Sequence, residues 1–439
     1  MKALSNMGFA FFGAALVAIS YGLARFAFGL FVPAIIAELA LTPYVIGIIG
    51  ALPFISFVLA TLVAPQAADR LGARNLAVLS GCFGIGGLGL ISQSSDALSL
   101  GVGVFICGIC TGLMMPALTA AMQALVSRSM HGRVSSIMNA GTSIGIIVAV
   151  PTVVFLADAW RLTYTIFAVL TGIGVVAAWY FIPSVSRVVP ANAAPPPPIT
   201  RLQWSRLIRL SLFAFAMGFV SAPYWLFAPD LVVTLGGLPP AYTGWLWFAV
   251  GIAGLGGAIV SDLADRNNPP ITQALMLMML SSSLVLLAAS PSQLALAMFS
   301  ALVFGLAYMS LTGLYLMTGI RLLPGRLSMG PVIPFMACAL GQAVGSPVIG
   351  TLVDGFGYAS AFSIFAVVGI LVAILSPIYP GHIDYLTEQE DQPQPEADDT
   401  GLQAAYDQQL VDEDGNPVEP ANEEETEEAE AEKPEKETL

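Results

Sequence analysis

The chain has 439 residues, 56% of them hydrophobic and 10% charged, which is too apolar for a soluble protein of several domains and points to an integral membrane protein. Its net charge of −13 comes from the tail: residues 381–439 hold 21 of the 29 acidic residues and two of the 16 basic ones, so 14 − 8 leaves the body at +6. The acidity therefore describes the tail alone, and no basic patch points to nucleic acid.

A membrane-crossing helix takes about 20 mainly apolar residues, and the chain is expected to hold twelve such stretches. The first six run over residues 7–37, 45–64, 76–92, 98–126, 137–156 and 164–182. The second six run over 207–235, 241–260, 271–289, 294–320, 332–353 and 359–379. The predicted fold class is all-α, with an N-terminal six-helix bundle (1–182), a Pro-rich cytoplasmic linker (183–206), a C-terminal six-helix bundle (207–380) and an acidic cytoplasmic tail (381–439). Pro190 and Pro195 to Pro198 favour an extended spacer in the linker. The tail lacks apolar periodicity and is expected to be disordered.

Positive residues are retained on the cytoplasmic side. Lys2, Arg70, Arg74, Arg128, Arg133, Arg187, Arg201, Arg206, Arg209, Arg266, Arg321 and Arg326 fall at the N-terminus or in even-numbered connections, and Arg161 alone falls in an odd one. Both termini are thus expected in the cytoplasm. The odd connections carry Glu38, Asp96, Asp158 and Asp354. No cleavable signal peptide is expected.

The first apolar stretch contains Arg25, an intramembrane charge that costs about 2.5–3.5 kcal/mol even on lenient insertion scales and so calls for a protein interior or cavity. Tyr21 and Phe28 share its helical face. Of the eight acidic residues outside the tail, only Asp230 lies within an apolar run. Its equivalent in the internal repeat set out next is Ala34, nine residues beyond Arg25 and about 13 Å along a helix. Arg25 is left without an evident carboxylate. Either it bonds helix carbonyls or snorkels outward, or its planar fork holds a substrate anion.

The two halves repeat at a constant offset in residue number. Phe31 and Pro33 match Phe227 and Pro229; Ala68, Asp69 and Arg70 match Ala264, Asp265 and Arg266; Gly145, Pro151 and Asp158 match Gly341, Pro347 and Asp354. The pairs Gly108/Gly112, Gly141/Gly145 and Gly341/Gly345 are expected to let helices approach closely. Cys82, Cys107, Cys110 and Cys338 sit in apolar runs, where cysteine acts as a small hydrophobe. No metal site is expected from Cys107 and Cys110, which lack a second Cys or His pair.

After the second stretch the chain reads PQAADRLGARN (65–75), and after the eighth SDLADRNN (261–268). These segments resemble the signature loops of the major facilitator superfamily, a resemblance that covers residues 1–380. Asp69, Arg70, Gly72 and Arg74 match the pattern; Pro65 replaces its first glycine and Ala73 one of its basic residues. The resemblance implies two pseudo-symmetric bundles of six helices, a substrate site between them, and a cytoplasmic gate at Asp69, Arg70, Gly72, Arg74, Asp265 and Arg266. A tight turn that merely holds positive charge inside is the alternative for that loop. The family's fourth-helix arginine would fall near Val104 and is missing. So is the fifth-helix Gly-Pro pair of drug antiporters, since Ile146 follows Gly145.

Tyr308, Thr312 and Tyr315 place polar tips on one face of a helix of the second half. With Asn139, Tyr224, Trp225 and Gln342 they complete the expected substrate-binding set around Arg25, Tyr21 and Phe28. The first helix, reading Y-G-x-x-R-F, resembles a bacterial subgroup of the superfamily, here assigned to small organic anions. The expected function is secondary transport of a small solute, an organic anion, by alternating access across the cell membrane, with a coupling ion as an option. Efflux of amphipathic compounds is the alternative. No G-x-x-x-x-G-K-[ST] loop offers ATP coupling, and neither paired carboxylates nor a histidine cluster offers enzymatic chemistry. No cofactor is expected, and the protein is expected to be a monomer in the lipid bilayer.

Overall fold

A computed structural model describes residues 4–127, 130–156, 159–182, 184, 186–187, 198–267, 269–323, 329–376 and 410–411. The first apolar stretch forms α1 (Asn6–Val17), a π-helical segment (Ala18–Phe26) and α2 (Phe28–Leu39). There follow α3 (Pro43–Gln93), α4 (Ala97–Leu125), α5 (His131–Leu156), α6 (Trp160–Phe181), α7 (Arg201–Thr234), α8 (Thr243–Asn267), α9 (Pro269–Ala289), α10 (Leu294–Leu322) and α11 (Val332–Leu375). The rest of the described secondary structure is a short 3₁₀ turn and a two-residue antiparallel pairing of Ser186–Arg187 with Leu410–Val411. The expectation of a disordered tail otherwise lies outside the described residues.

Among the described residues, nine helices are long and apolar enough to cross a membrane, counting Asn6–Leu39 as one. Two of them are long enough for two crossings and break within their length. α3 has 51 residues, about 75 Å at 1.5 Å per residue against a hydrocarbon core of about 30 Å. Its helix breaks at Gly72, with φ 74° and ψ 165°, a conformation essentially closed to residues with a Cβ. Ala60 and Ala64 before the break and Ala73, Leu76 and Ala77 after it pack into one buried cluster. α11 breaks in the same way at Gly357, with φ 76°.

The helix starts follow their caps. Asp96 accepts the Leu98 and Ser99 N–H groups, both at 2.9 Å, to open α4, and these donors hold its carboxyl below the usual range. Thr200 and Gln203 form a reciprocal capping box that opens α7 at Arg201. The apolar pattern places that start at Leu207, so the helix begins well over a turn earlier than expected. The capping pair decides the start, and the apolar pattern marks only where burial begins.

Small residues set the helix contacts. A side chain at Gly108 or Gly112 of α4 would meet the α3 backbone at Pro53 or Phe57. Gly145 of α5 lies against the Ala18 carbonyl, and Gly341 of α11 against the Phe215 carbonyl. The two glycines are repeat equivalents, and their carbonyl partners are equivalent to within a single position. Residues before and after the linker meet where α2 packs on α7, α3 on α11 and α5 on α8. At one end the approach is backbone to backbone: a Cβ on Gly47 would lie 3.0 Å from Gly350 Cα, and one on Gly350 would lie 2.6 Å from the Pro43 carbonyl oxygen.

That same end carries Arg161, which the apolar pattern places in an odd connection and which stands instead at the start of α6. Arg161 Nε donates to Glu38 at 2.9 Å, and Nη1 donates to the carbonyls of Ser92, at 3.3 Å, and of Ser94. Trp160 Nε1 donates to the other Glu38 oxygen at 2.6 Å. The arginine thus ties together the ends of α2, α3 and α6.

Candidate substrate site

The site begins with an irregularity in the first helix. Ala27 N–H donates to the Gly22 carbonyl at 3.0 Å, five residues back, and Leu30 N–H reaches Ala27 at 3.1 Å, only three back. Pro33, which has no N–H, follows within α2 and weakens the ladder further. Gly22 lies against the Gly145 backbone, so the bulged turn is pressed onto α5. π-Helical geometry is rare and recurs at functional positions; here it extends over nine residues, Ala18–Phe26. The segment carries Tyr21 and Arg25.

Arg25 is 8% exposed. Its guanidinium carbon lies 4.5 Å from the ring centre of Phe54, 4.7 Å from Phe57, 5.2 Å from Phe26 and 5.8 Å from Tyr21, within cation–π range of each. Nη2 donates to Gln342 Oε1 on α11 at 3.3 Å. Gln342 Nε2 in turn donates to Tyr308 OH at 3.2 Å and Ser221 Oγ at 3.4 Å. One polar network therefore joins the first helix to α7, α10 and α11. The reading in which Arg25 bonds helix carbonyls or snorkels outward is corrected: the charge stays inside, against aromatic rings and one side-chain amide.

No carboxylate among the described residues pairs with Arg25. Asp230, buried on α7, accepts from Tyr358 OH and from Thr234 Oγ1, the latter at 3.3 Å. Arg25 Nε is buried without a partner, and so is Trp225 Nε1. Arg25 and Trp225 line one cleft with Phe26, Phe28, Phe54 and Leu226. The cleft measures about 20 Å³, room for one water molecule.

The expected binding residues divide into two groups. Arg25, Phe28 and Trp225 line the cleft, Tyr21 faces the guanidinium, and Tyr308 reaches it through Gln342 while packing edge-on to Trp225 at 5.0 Å. Tyr224 stacks on Phe304 at 3.9 Å and bonds Ser300 at 3.0 Å, away from the cleft. Thr312 donates to its own helix at Met309. Tyr315 is buried with an unpartnered hydroxyl and does not line the cleft, and neither does half-buried Asn139. Sequence reasoning did not single out Phe26, Phe54, Phe57 or Ser221. The Phe54/Phe57 spacing of three residues beside Pro53 was the available signal for a shared aromatic face.

A family model described as Major Facilitator Superfamily matches residues 14–329. The chain belongs to the Major Facilitator Superfamily. Among solved structures it resembles a mutant of the nucleoside transporter NupG, with a TM-score of 0.69 and 15% identity over 84% of this chain and 98% of that one. It also resembles a bacterial homolog of the human lysosomal transporter Spinster in an inward-facing, occupied conformation, with a TM-score of 0.63 and 11% identity over 88% and 98%. At these identities the likeness is one of fold. No curated protein matches the chain. The protein is accordingly a multi-pass membrane transporter of the secondary type.

In the superfamily's signature loop, Arg74 is the residue that binds. Its Nε donates to the Ile182 carbonyl at 2.8 Å and its guanidinium lies 5.5 Å from the Trp179 ring, so it caps the C-terminal end of α6. Asp69 and Arg70 are exposed and form no hydrogen bond or ion pair among the described residues. Gly72 supplies the turn. The side chains of Asp265 and Arg266, expected to join the gate, lie outside the described residues.

Proposed function

We propose that the protein carries a small organic anion across the cell membrane by alternating access, with Arg25 as the anchor of the anion. The observation that carries this reading is the state of the Arg25 guanidinium: buried, with Nε unpartnered and Nη2 bonded only to a neutral amide. Removing one partner from a buried ion pair typically costs about 3–5 kcal/mol. A buried cation with no carboxylate is therefore kept where an incoming anion can complete it.

The nine apolar helices, with α3 and α11 each counted as two crossings and α8 added, make the twelve spans of the proposal. The constant offset of the repeat supports two halves, residues 1–182 and 207–380, moving as bodies about the site. The lysine and arginine distribution supports cytoplasmic termini. In that orientation the Gly47 and Gly350 contact closes the outer end, and the unbonded Asp69 is a gate residue in its released state. The monomer is the proposed working unit.

Aromatic walls favour a second reading, efflux of amphipathic compounds. Arg25 separates the two, because it repels the lipophilic cations that such pumps commonly take. The test is uptake of labelled organic anions into proteoliposomes by the wild-type protein and by Arg25→Ala at matched reconstitution. Uptake that needs Arg25 is expected. Transport of a lipophilic cation, unaffected by Arg25→Ala, would favour the second reading.

A further inference from the structure

Resting on the anion reading of the same site, we infer that the substrate is a flat, apolar monocarboxylate of the aryl carboxylate type, which displaces the Gln342 amide from Arg25 and is read by Trp225. Three features lead there, beginning with the two nitrogens of the guanidinium edge. Nε–H and an Nη2–H lie on the same edge and match two oxygens of one carboxylate. Gln342 offers that edge a single carbonyl oxygen, which takes Nη2 at 3.3 Å and leaves Nε without a partner. A carboxylate satisfies both, so it outcompetes the amide.

The second feature is the other orphan donor. Trp225 Nε1 is buried and unpartnered, and Trp225 lines the same cleft. Its ring packs against Phe26 at 4.4 Å, and Phe26 lies 5.2 Å from the Arg25 guanidinium. Two unsatisfied N–H groups, with an amide oxygen as the guanidinium's one acceptor among the described residues, describe a site for an acceptor-rich group. Indole and guanidinium come from opposite sides of the linker, so an anion held by both draws the two halves together.

The third feature is what surrounds these donors. Phe26, Phe28, Phe54 and Leu226 line the cleft, and no second cation joins Arg25 in the lining. A dicarboxylate would bring a second charge into this apolar wall without a counter-ion, at a high desolvation cost. Acetate would satisfy the donors but leave the rings uncovered. A neutral isostere would leave the guanidinium without its second oxygen. A flat ring meets the aromatic walls in stacked or edge-on packing once the halves part enough to admit it.

The test is calorimetric titration of the full-length, detergent-purified protein with benzoate, acetate, succinate, benzamide and uridine. Benzoate is expected to bind at least tenfold more tightly than acetate or succinate, with no binding of benzamide or uridine. Trp225→Phe keeps the ring and loses the N–H, and should weaken benzoate three- to tenfold. Gln342→Ala removes the competing amide and should tighten benzoate binding while slowing transport. A merely structural glutamine would not give that split. Binding of acetate or succinate with none of benzoate overturns the substrate class and leaves the anion reading standing. Binding of benzamide or uridine as tight as any anion, retained in Arg25→Ala, overturns the anion reading itself. No binding of benzoate to a protein that still melts cooperatively overturns the inference.

Discussion

The first helix and its repeat equivalent, α7, share a scaffold and differ in what they carry. Gly22 and Gly218 are repeat equivalents, and each lies against the backbone of a small-residue helix, at Gly145 of α5 and Cys338 of α11. Phe31 and Pro33 recur as Phe227 and Pro229. The charges do not recur: Arg25 corresponds to Ser221 and Asp230 to Ala34. The hydrogen-bond ladder does not recur either, since the first helix has a π-helical turn where α7 stays α-helical. Ser221, standing where a second arginine would be, joins the Gln342 network instead. The repeated residues lie in helix contacts, and the unrepeated ones line the candidate site.

The largest effect should come from breaking what the halves share. Gly145→Leu and Gly341→Leu each force a side chain into a carbonyl contact, and overpacking of this kind costs about 1–3 kcal/mol or more. Both variants should lose the monodisperse folded peak in size-exclusion chromatography, to the same degree. A large loss in one and none in the other would break the symmetry.

Next in size are changes at unrepeated residues outside the cleft. Tyr358→Phe leaves the buried Asp230 carboxylate with Thr234 alone, a loss of about 1–3 kcal/mol for an unsatisfied buried group. The melting temperature should fall by several degrees, with anion affinity unchanged. A shift in affinity would move Asp230 into the binding machinery.

Smaller still are the proposed gate and the surface tie. Asp69 forms no bond in this conformation, so Asp69→Asn should leave the melting temperature within a degree. Turnover in proteoliposomes should fall because the state that uses the charge is lost, and normal turnover would reduce Asp69 to a turn residue. Glu38→Gln weakens a pair whose side chains are 34% and 46% exposed, and such pairs contribute about 0–1 kcal/mol. Its effect should vanish in high salt.

The scaffold was legible in the sequence because hydropathy, small-residue spacing and the constant repeat offset are local or periodic signals. The buried, carboxylate-free Arg25 was legible by elimination among eight acids. The π-helical segment was not, since Gly22 makes the same kind of backbone contact as Gly218 and yet only the first helix departs from α-helical bonding. Nor was the aromatic surround, because Phe54 and Phe57 reach the guanidinium only through the packing of α3 on the first helix. Helical spacing groups Tyr308, Thr312 and Tyr315 but could not say which would lie near Arg25. Thr312 bonds its own backbone, and Tyr224 was claimed by Phe304 and Ser300. The early start of α7 was written in Thr200 and Gln203, a capping signal that a hydropathy reading passes over.

Everything proposed for the site depends on the Arg25 guanidinium binding the substrate anion. That binding is tested most directly by titrating benzoate into wild-type, Arg25→Lys and Arg25→Ala proteins of equal melting temperature. Arg25→Lys keeps the charge and loses the two-point edge, so its affinity should fall at least tenfold, and Arg25→Ala should show no measurable binding. Wild-type affinity in folded Arg25→Ala would contradict the account.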